Sequence, residues 1–141
     1  MANQKLELQS QARRAVLQLD QTERPRLVLL AISGPSQYLV GALFGGLLSL
    51  FLIKSYFISV TDRAVFIHRG PRLNPHPKEL VHVVPLEDAG GLVSRVKLGR
   101  AWNALFLKLP GRARPTRLNV SFHSRSELDS FLGKLGAAEH S

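Results

Sequence analysis

From Leu27 to Ile53 the chain carries no charged side chain, a run of 27 residues with Arg24 and Arg26 before it and Lys54 after it. A stretch this long and apolar belongs either in the interior of a globule or in hydrocarbon. It is interrupted at Gly34-Pro35. Proline has no N–H donor and a fixed φ, so it opens a helix more readily than it sits inside one. A helix from Pro35 to Ile53 would have 19 residues. At about 1.5 Å per residue it would be roughly 28 Å long, close to the roughly 30 Å hydrocarbon layer of a bilayer. Its apolar side chains fall all round, with no polar stripe to face water. Tyr38 near one end, and Tyr56 with Lys54 at the other, suit interfacial anchoring. The remaining residues need a core of their own, which leaves little to wrap such a helix completely. The segment 27–54 is therefore expected to lie in a membrane.

Within that helix Gly41, Gly45 and Ser49 recur at intervals of four and line one side, where another helix can approach closely. Glycine is also simply tolerated in spanning helices, so a packing face is one of two accounts. Orientation is weakly encoded by the flanking basic residues. A shallow hairpin, with "LVLLAIS" as its first limb and the turn at Gly34-Pro35, is the alternative to a single span.

Charge gives the second constraint. The 141 residues carry a net charge of +9, and residues from Lys54 onward hold 14 Lys and Arg against 7 Asp and Glu. Such a balance suits anionic headgroups, nucleic acid or an acidic protein, and composition alone does not choose among them. No cysteine is present, which excludes disulfides, thiolate metal sites and Cys nucleophiles. The opening "MANQKLELQSQARRAVLQLDQ" does not read as a secretory signal.

Three sections follow: 1–26, 27–54 and 55–138. In the first, Leu8, Ala12, Ala15, Val16 and Leu19 share one side of an amphipathic helix that ends near Asp20, with Gln9, Arg13, Arg14 and Gln18 turned away. In the third the period becomes two. Strands are expected at 55–60, 64–69, 79–84, 92–98, 101–109 and 116–122, with a turn at Thr61-Asp62-Arg63. Ser124 and Glu127 form a capping-box pattern, followed by Leu128, Phe131, Leu132 and Leu135 at helical spacing, and Gly136 is placed to end that helix.

Six antiparallel strands and one C-terminal amphipathic helix resemble the pleckstrin-homology-like (PH-like) fold. More narrowly, "YFISVTDRAVFIHRG" (56–70) and "VVPLEDAGGL" (83–92) are similar to the bacterial PH domain group. The resemblance covers residues 55–136 and implies a binding module, often preceded by hydrophobic membrane segments. Two departures stand out. A PH barrel has seven strands, so the first is missing, hidden in 27–33 or absorbed by the membrane segment. The basic signature of the first hairpin, with which some relatives hold phosphoinositides, has no match.

The fold class expected is therefore α+β: one transmembrane or membrane-inserted helix followed by an antiparallel PH-like barrel with a C-terminal helix. Lys54, Arg95, Lys97, Arg100, Arg112, Arg114 and Arg117 are candidates for contact with headgroups, alongside the bland reading of a solvated basic face. His68, His76, His82, His123 and His140 show no metal-ligand spacing, and no nucleophile–base pair, Walker loop or paired carboxylate appears. No enzyme activity, metal or cofactor is expected. The expected role is that of a membrane-anchored module, its PH-like domain on the cytoplasmic side. Its partners would be anionic lipids and either a protein or further copies of itself. The alternatives are a self-assembling structural membrane protein, and a soluble basic protein with a buried central helix that binds nucleic acid. Nucleic acid is the weaker partner, because aromatics are few and Trp102 lies apart from the arginines.

Overall fold

The computed structural model describes residues 2–33, 53–72 and 74–140. Helix α1 (Ala2–Leu19) is followed by β1 (Leu27–Ser33), β2 (Lys54–Val60), β3 (Ala64–Pro71) and β4 (Glu79–Pro85). A 3-10 turn (Leu86–Gly91) leads to β5 (Val93–Lys97), β6 (Trp102–Leu107) and β7 (Thr116–Ser121). A second 3-10 turn (Phe122–Ser124) then leads into α2 (Arg125–His140). All the strand pairs are antiparallel, and the seven strands form one sheet in the order β4-β3-β2-β1-β7-β6-β5. The sheet curls into a half-barrel, and with its C-terminal helix this arrangement is compatible with a PH-like fold.

The strand missing from the six-strand reading is β1, and it lies at the centre of the sheet. It pairs with β2 from Leu27↔Val60 to Ile32↔Ser55, and with β7 through Ile32↔Asn119 and Ser33↔Leu118. Its alternate side chains are buried on opposite faces. Leu29 and Ala31 enter the main core with Tyr56, Ile58, Leu105 and Phe131. Val28 and Leu30 turn to the other face, where they pack with Phe57 of β2 and with Ala12 of α1. A strand buried on both faces reads as a continuous apolar run without alternation, which is why its composition resembles a membrane limb.

This placement overturns the membrane helix in the expected fold class, while its α+β character, antiparallel strands and C-terminal helix are found. Ile32 pairs with Ser55, and the Lys54 amide donates to Ser33 Oγ at 3.1 Å. The chain thus leaves and re-enters the sheet at adjacent strands, whereas a helix crossing a bilayer once would set its two ends roughly 30 Å apart. "LVLLAIS" is a sheet strand and so cannot be the first limb of a hairpin either. No helix among the described residues is long and apolar enough to cross a membrane. Residues 34–52, with Tyr38, Gly41, Gly45 and Ser49, lie outside the described residues.

The other expected strands are found to within two residues at either end. The Thr61 turn forms because its hydroxyl accepts from the amides of Arg63 and Ala64, at 3.1 and 3.0 Å. Gly70 pairs with Ser55 and has the His76 carbonyl against its Cα, so any Cβ there would collide with backbone.

The helices differ from expectation in detail. Leu128, Phe131 and Leu135 fill the concave side of the sheet, as their spacing requires. The helix continues past Gly136 to His140. Glu127 pairs with Lys5 of α1 at 2.6 Å, so its carboxylate joins the two helices. Burial raises the pKa of that carboxyl, but the Lys5 and Ser126 hydrogen bonds outweigh it and hold the group below its usual value. Gln9, which helical spacing turns outward, is buried and donates to the Val28 carbonyl at 3.1 Å.

His68 sits opposite Phe57 in the β2–β3 ladder, 4% exposed, with no hydrogen-bond partner on Nδ1 among the described residues. Burial pushes its pKa below the ordinary 6.5. The unfolded chain therefore binds the proton more readily than the fold does. Stability is present in full well above about pH 6.5 and falls at lower pH, by at most about 1.4 kcal/mol per pH unit, until the folded His68 itself protonates. The shifted carboxyls of Asp20 and Glu127 lie below their already acidic ordinary values and titrate outside this window. Urea midpoints measured at about pH 7.5 and about pH 5.5 should separate in the natural chain and draw together in His68→Leu. An equal separation in both would show that His68 is not the titrating group.

A candidate anion-binding cleft

Five basic side chains from separate parts of the sequence converge at one end of the half-barrel. Lys54 opens β2, Arg69 stands near the end of β3, Arg112 and Arg114 belong to the β6–β7 loop, and Arg117 is the second residue of β7. With Ser33, Tyr56, Ala113, Pro115 and Thr116 they line a cleft of about 840 Å³. The register brings them together. Tyr56 pairs with Arg69, Lys54 with Pro71, and Ser33 with Leu118, so the ends of β1, β2 and β3 and the start of β7 meet at one rim.

Among the described residues no acidic side chain lines the cleft. Arg69 is neutralised from outside it by Glu79, which accepts from its Nε at 2.7 Å. Hydrogen bonds with the Tyr56 hydroxyl and then Glu79 hold the Arg69 guanidinium above its ordinary pKa. Among the described residues Lys54, Arg112, Arg114 and Arg117 make no ion pair with a carboxylate. Arg117 donates to Asn119 Oδ1 at 3.3 Å, and its guanidinium stands 5.9 Å from the centre of the Phe106 ring. The Thr116 hydroxyl is buried in the cleft wall without a hydrogen-bond partner among the described residues. Four cations without counter-charges around a concave surface repel one another, and a bound anion relieves that repulsion.

Of the residues chosen from sequence, Lys54, Arg112, Arg114 and Arg117 meet in this cleft. Arg95 belongs to the adjoining surface. It pairs across the ladder with Phe106 and places its guanidinium 5.6 Å from that ring, so Arg95, Phe106 and Arg117 form one row across β5, β6 and β7. Lys97 is exposed further along β5. Arg100 occupies the β5–β6 turn, at the opposite end of β6 from Arg112 and Arg114. Tyr56, expected at a water–lipid boundary, is 2% exposed, with its ring in the core. Sequence reasoning missed Arg69, whose position before Gly70 reads as the end of a strand. The signal that finds it is the Tyr56↔Arg69 register, which only a paired β2–β3 hairpin supplies.

No family model matches the chain, and neither a curated protein nor a solved structure matches it.

Proposed function

We propose that this chain is a non-enzymatic PH-like binding module, related to the bacterial PH domain group, whose basic cleft engages the phosphate-bearing headgroups of anionic lipids at the inner face of the cell membrane. The convergence of Lys54, Arg69, Arg112, Arg114 and Arg117 on one concave surface, with no lining carboxylate among the described residues, carries this reading. Near an anionic leaflet each basic residue contributes on the order of 1 kcal/mol, within a Debye length of the surface. Several on one rim therefore both attract and orient the domain. The attachment requires no helix in the bilayer.

Co-sedimentation of the full chain with vesicles tests the reading. Binding is expected to phosphatidylcholine vesicles that contain phosphatidylserine, to be weak with phosphatidylcholine alone, and to decline as salt is raised. Equal binding to both compositions, or none to the anionic one, rules the proposal out.

A second reading, contact with a protein or with another copy of the chain, draws on β4. It is an edge strand with one unpaired side, and its Leu80 and Val83 are 41% and 39% exposed. Such an edge is a template for a further strand. A concentration-dependent mass in solution that Leu80→Lys abolishes would favour it.

A further inference from the structure

On the face of the sheet away from the core, a second hollow of about 520 Å³ lies between the first turns of α1 and strands β1, β2 and β7. Its volume is in the range of small-molecule pockets. Leu30, Ile32 and Phe57 line it from the sheet, Leu6 and Leu8 from the helix, and Trp102 stands at the start of β6. Leu6 is 59% exposed and Trp102 40% exposed, so two large apolar side chains on its border face water. Surface of this kind, gathered around a hollow, marks a place where something apolar is bound.

Two observations say what kind of apolar group fits. The groove and the basic cleft adjoin: Ser55 and Tyr56 line the groove, while Ser33, Lys54 and again Tyr56 line the cleft. The charged residues of both hollows are also all basic. Lys5 and Arg72 are those of the groove, and among the described residues neither hollow is lined by Asp or Glu. Lys5 is already engaged by Glu127, which leaves Arg72 as the groove's free cation among the described residues. An uncharged lipid tail would use the groove and ignore the cations, and inorganic phosphate would do the reverse. A molecule with an alkyl tail and an anionic head matches both surfaces.

We propose that groove and cleft form one composite site for an anionic amphiphile, with a single alkyl chain against Leu30, Ile32 and Phe57 and its phosphate beside Lys54 in the cleft. The proposal rests on the reading of the cleft as an anion site and adds the tail that selects among phosphate-bearing ligands.

The chain's one tryptophan, Trp102, reports on the groove directly. Dodecyl phosphate below its micellar concentration, inorganic phosphate and dodecyltrimethylammonium are titrated into the full chain, with affinity read by calorimetry and groove occupancy by Trp102 emission. Dodecyl phosphate is expected to bind about tenfold or more tighter than inorganic phosphate, because burying methylenes adds to the same headgroup contact, and to shift the emission to the blue. Dodecyltrimethylammonium, with the same tail and the opposite head, is expected to do neither. Leu6→Glu changes an exposed helix position and leaves the core intact. It should remove most of the tail's advantage while inorganic phosphate affinity stays within about twofold.

If the alkyl phosphate binds no tighter than inorganic phosphate, or leaves the emission unmoved, the groove takes no tail and the cleft reading survives alone. If neither phosphate binds, the cleft reading fails and takes this one with it. Equal binding of the two amphiphiles of opposite charge would reduce the effect to unspecific adsorption and overturn the composite site.

Discussion

Leu29→Asp is expected to abolish cooperative folding of the chain, although residue 29 lies 25 positions before the first residue of β2. Leu29 is 0% exposed at the centre of the sheet, paired with Ile58 and packed in the main core. Removing a fully buried leucine forfeits about 2–5 kcal/mol of burial and packing. Placing a carboxylate there adds several kcal/mol of desolvation, or obliges the group to take up a proton at a similar cost. The sum reaches the whole of the roughly 5–15 kcal/mol that holds a domain folded. Leu17→Asp is the matched control: Leu17 is 39% exposed on α1, and surface changes of this kind stay within about 0.5 kcal/mol. Circular dichroism during urea unfolding checks both variants. A natural-looking transition in Leu29→Asp would show that the folded unit begins at Lys54, and would remove β1 from the sheet.

That variant tests the element that was hardest to read. "AVFIHR" and "TRLNVSF" announce themselves as strands by β-branched residues, bounding turns and, in the second, clean alternation. Their placement follows from local pattern. "LVLLAIS" carries no such alternation because α1 covers one of its faces and α2 with the core covers the other. Its length of seven residues and the Gly34-Pro35 break after it are the marks of a strand. Joined to the apolar residues beyond, those marks are outweighed by total hydrophobicity. Gln9 shows the same limit on a smaller scale. Helical spacing turns it outward, but its amide is needed by the Val28 carbonyl.

The cleft was half legible. Arg112, Arg114 and Arg117 are neighbours in sequence, so the loop that carries them is visible as a basic cluster. Their union with Lys54 and Arg69 depends on β1 bridging β2 and β7, a pairing of residues more than 80 positions apart. No local pattern encodes that. Arg95, Lys97 and Arg100 look equivalent to the others as charges, but Arg95 stops on the adjoining surface, and a strand and a turn carry Lys97 and Arg100 away from the cleft.

The double reversal Arg112→Glu/Arg114→Glu is therefore expected to cost far more in anion binding than the same change at Lys97 and Arg100. Both arginines lie in the exposed β6–β7 loop, outside the core and without a carboxylate partner among the described residues, so the fold should be unaffected. Each reversal removes an attraction on the order of 1 kcal/mol and adds a comparable repulsion. Two of them therefore amount to about 3–4 kcal/mol, or two to three decades in partitioning onto phosphatidylserine vesicles at low salt. Lys97→Glu/Arg100→Glu makes the identical change in net charge. If mean charge alone governed attraction, the two variants would bind alike. If the cleft is the site, the Lys97/Arg100 variant loses only the long-range part of the attraction, which salt near physiological strength screens over about 8 Å. The difference between the variants should then persist as salt rises, while each variant's own affinity falls. Equal losses would mean that the chain responds to anionic surfaces through its overall charge and that the convergence of Lys54, Arg69, Arg112, Arg114 and Arg117 has no part in recognition.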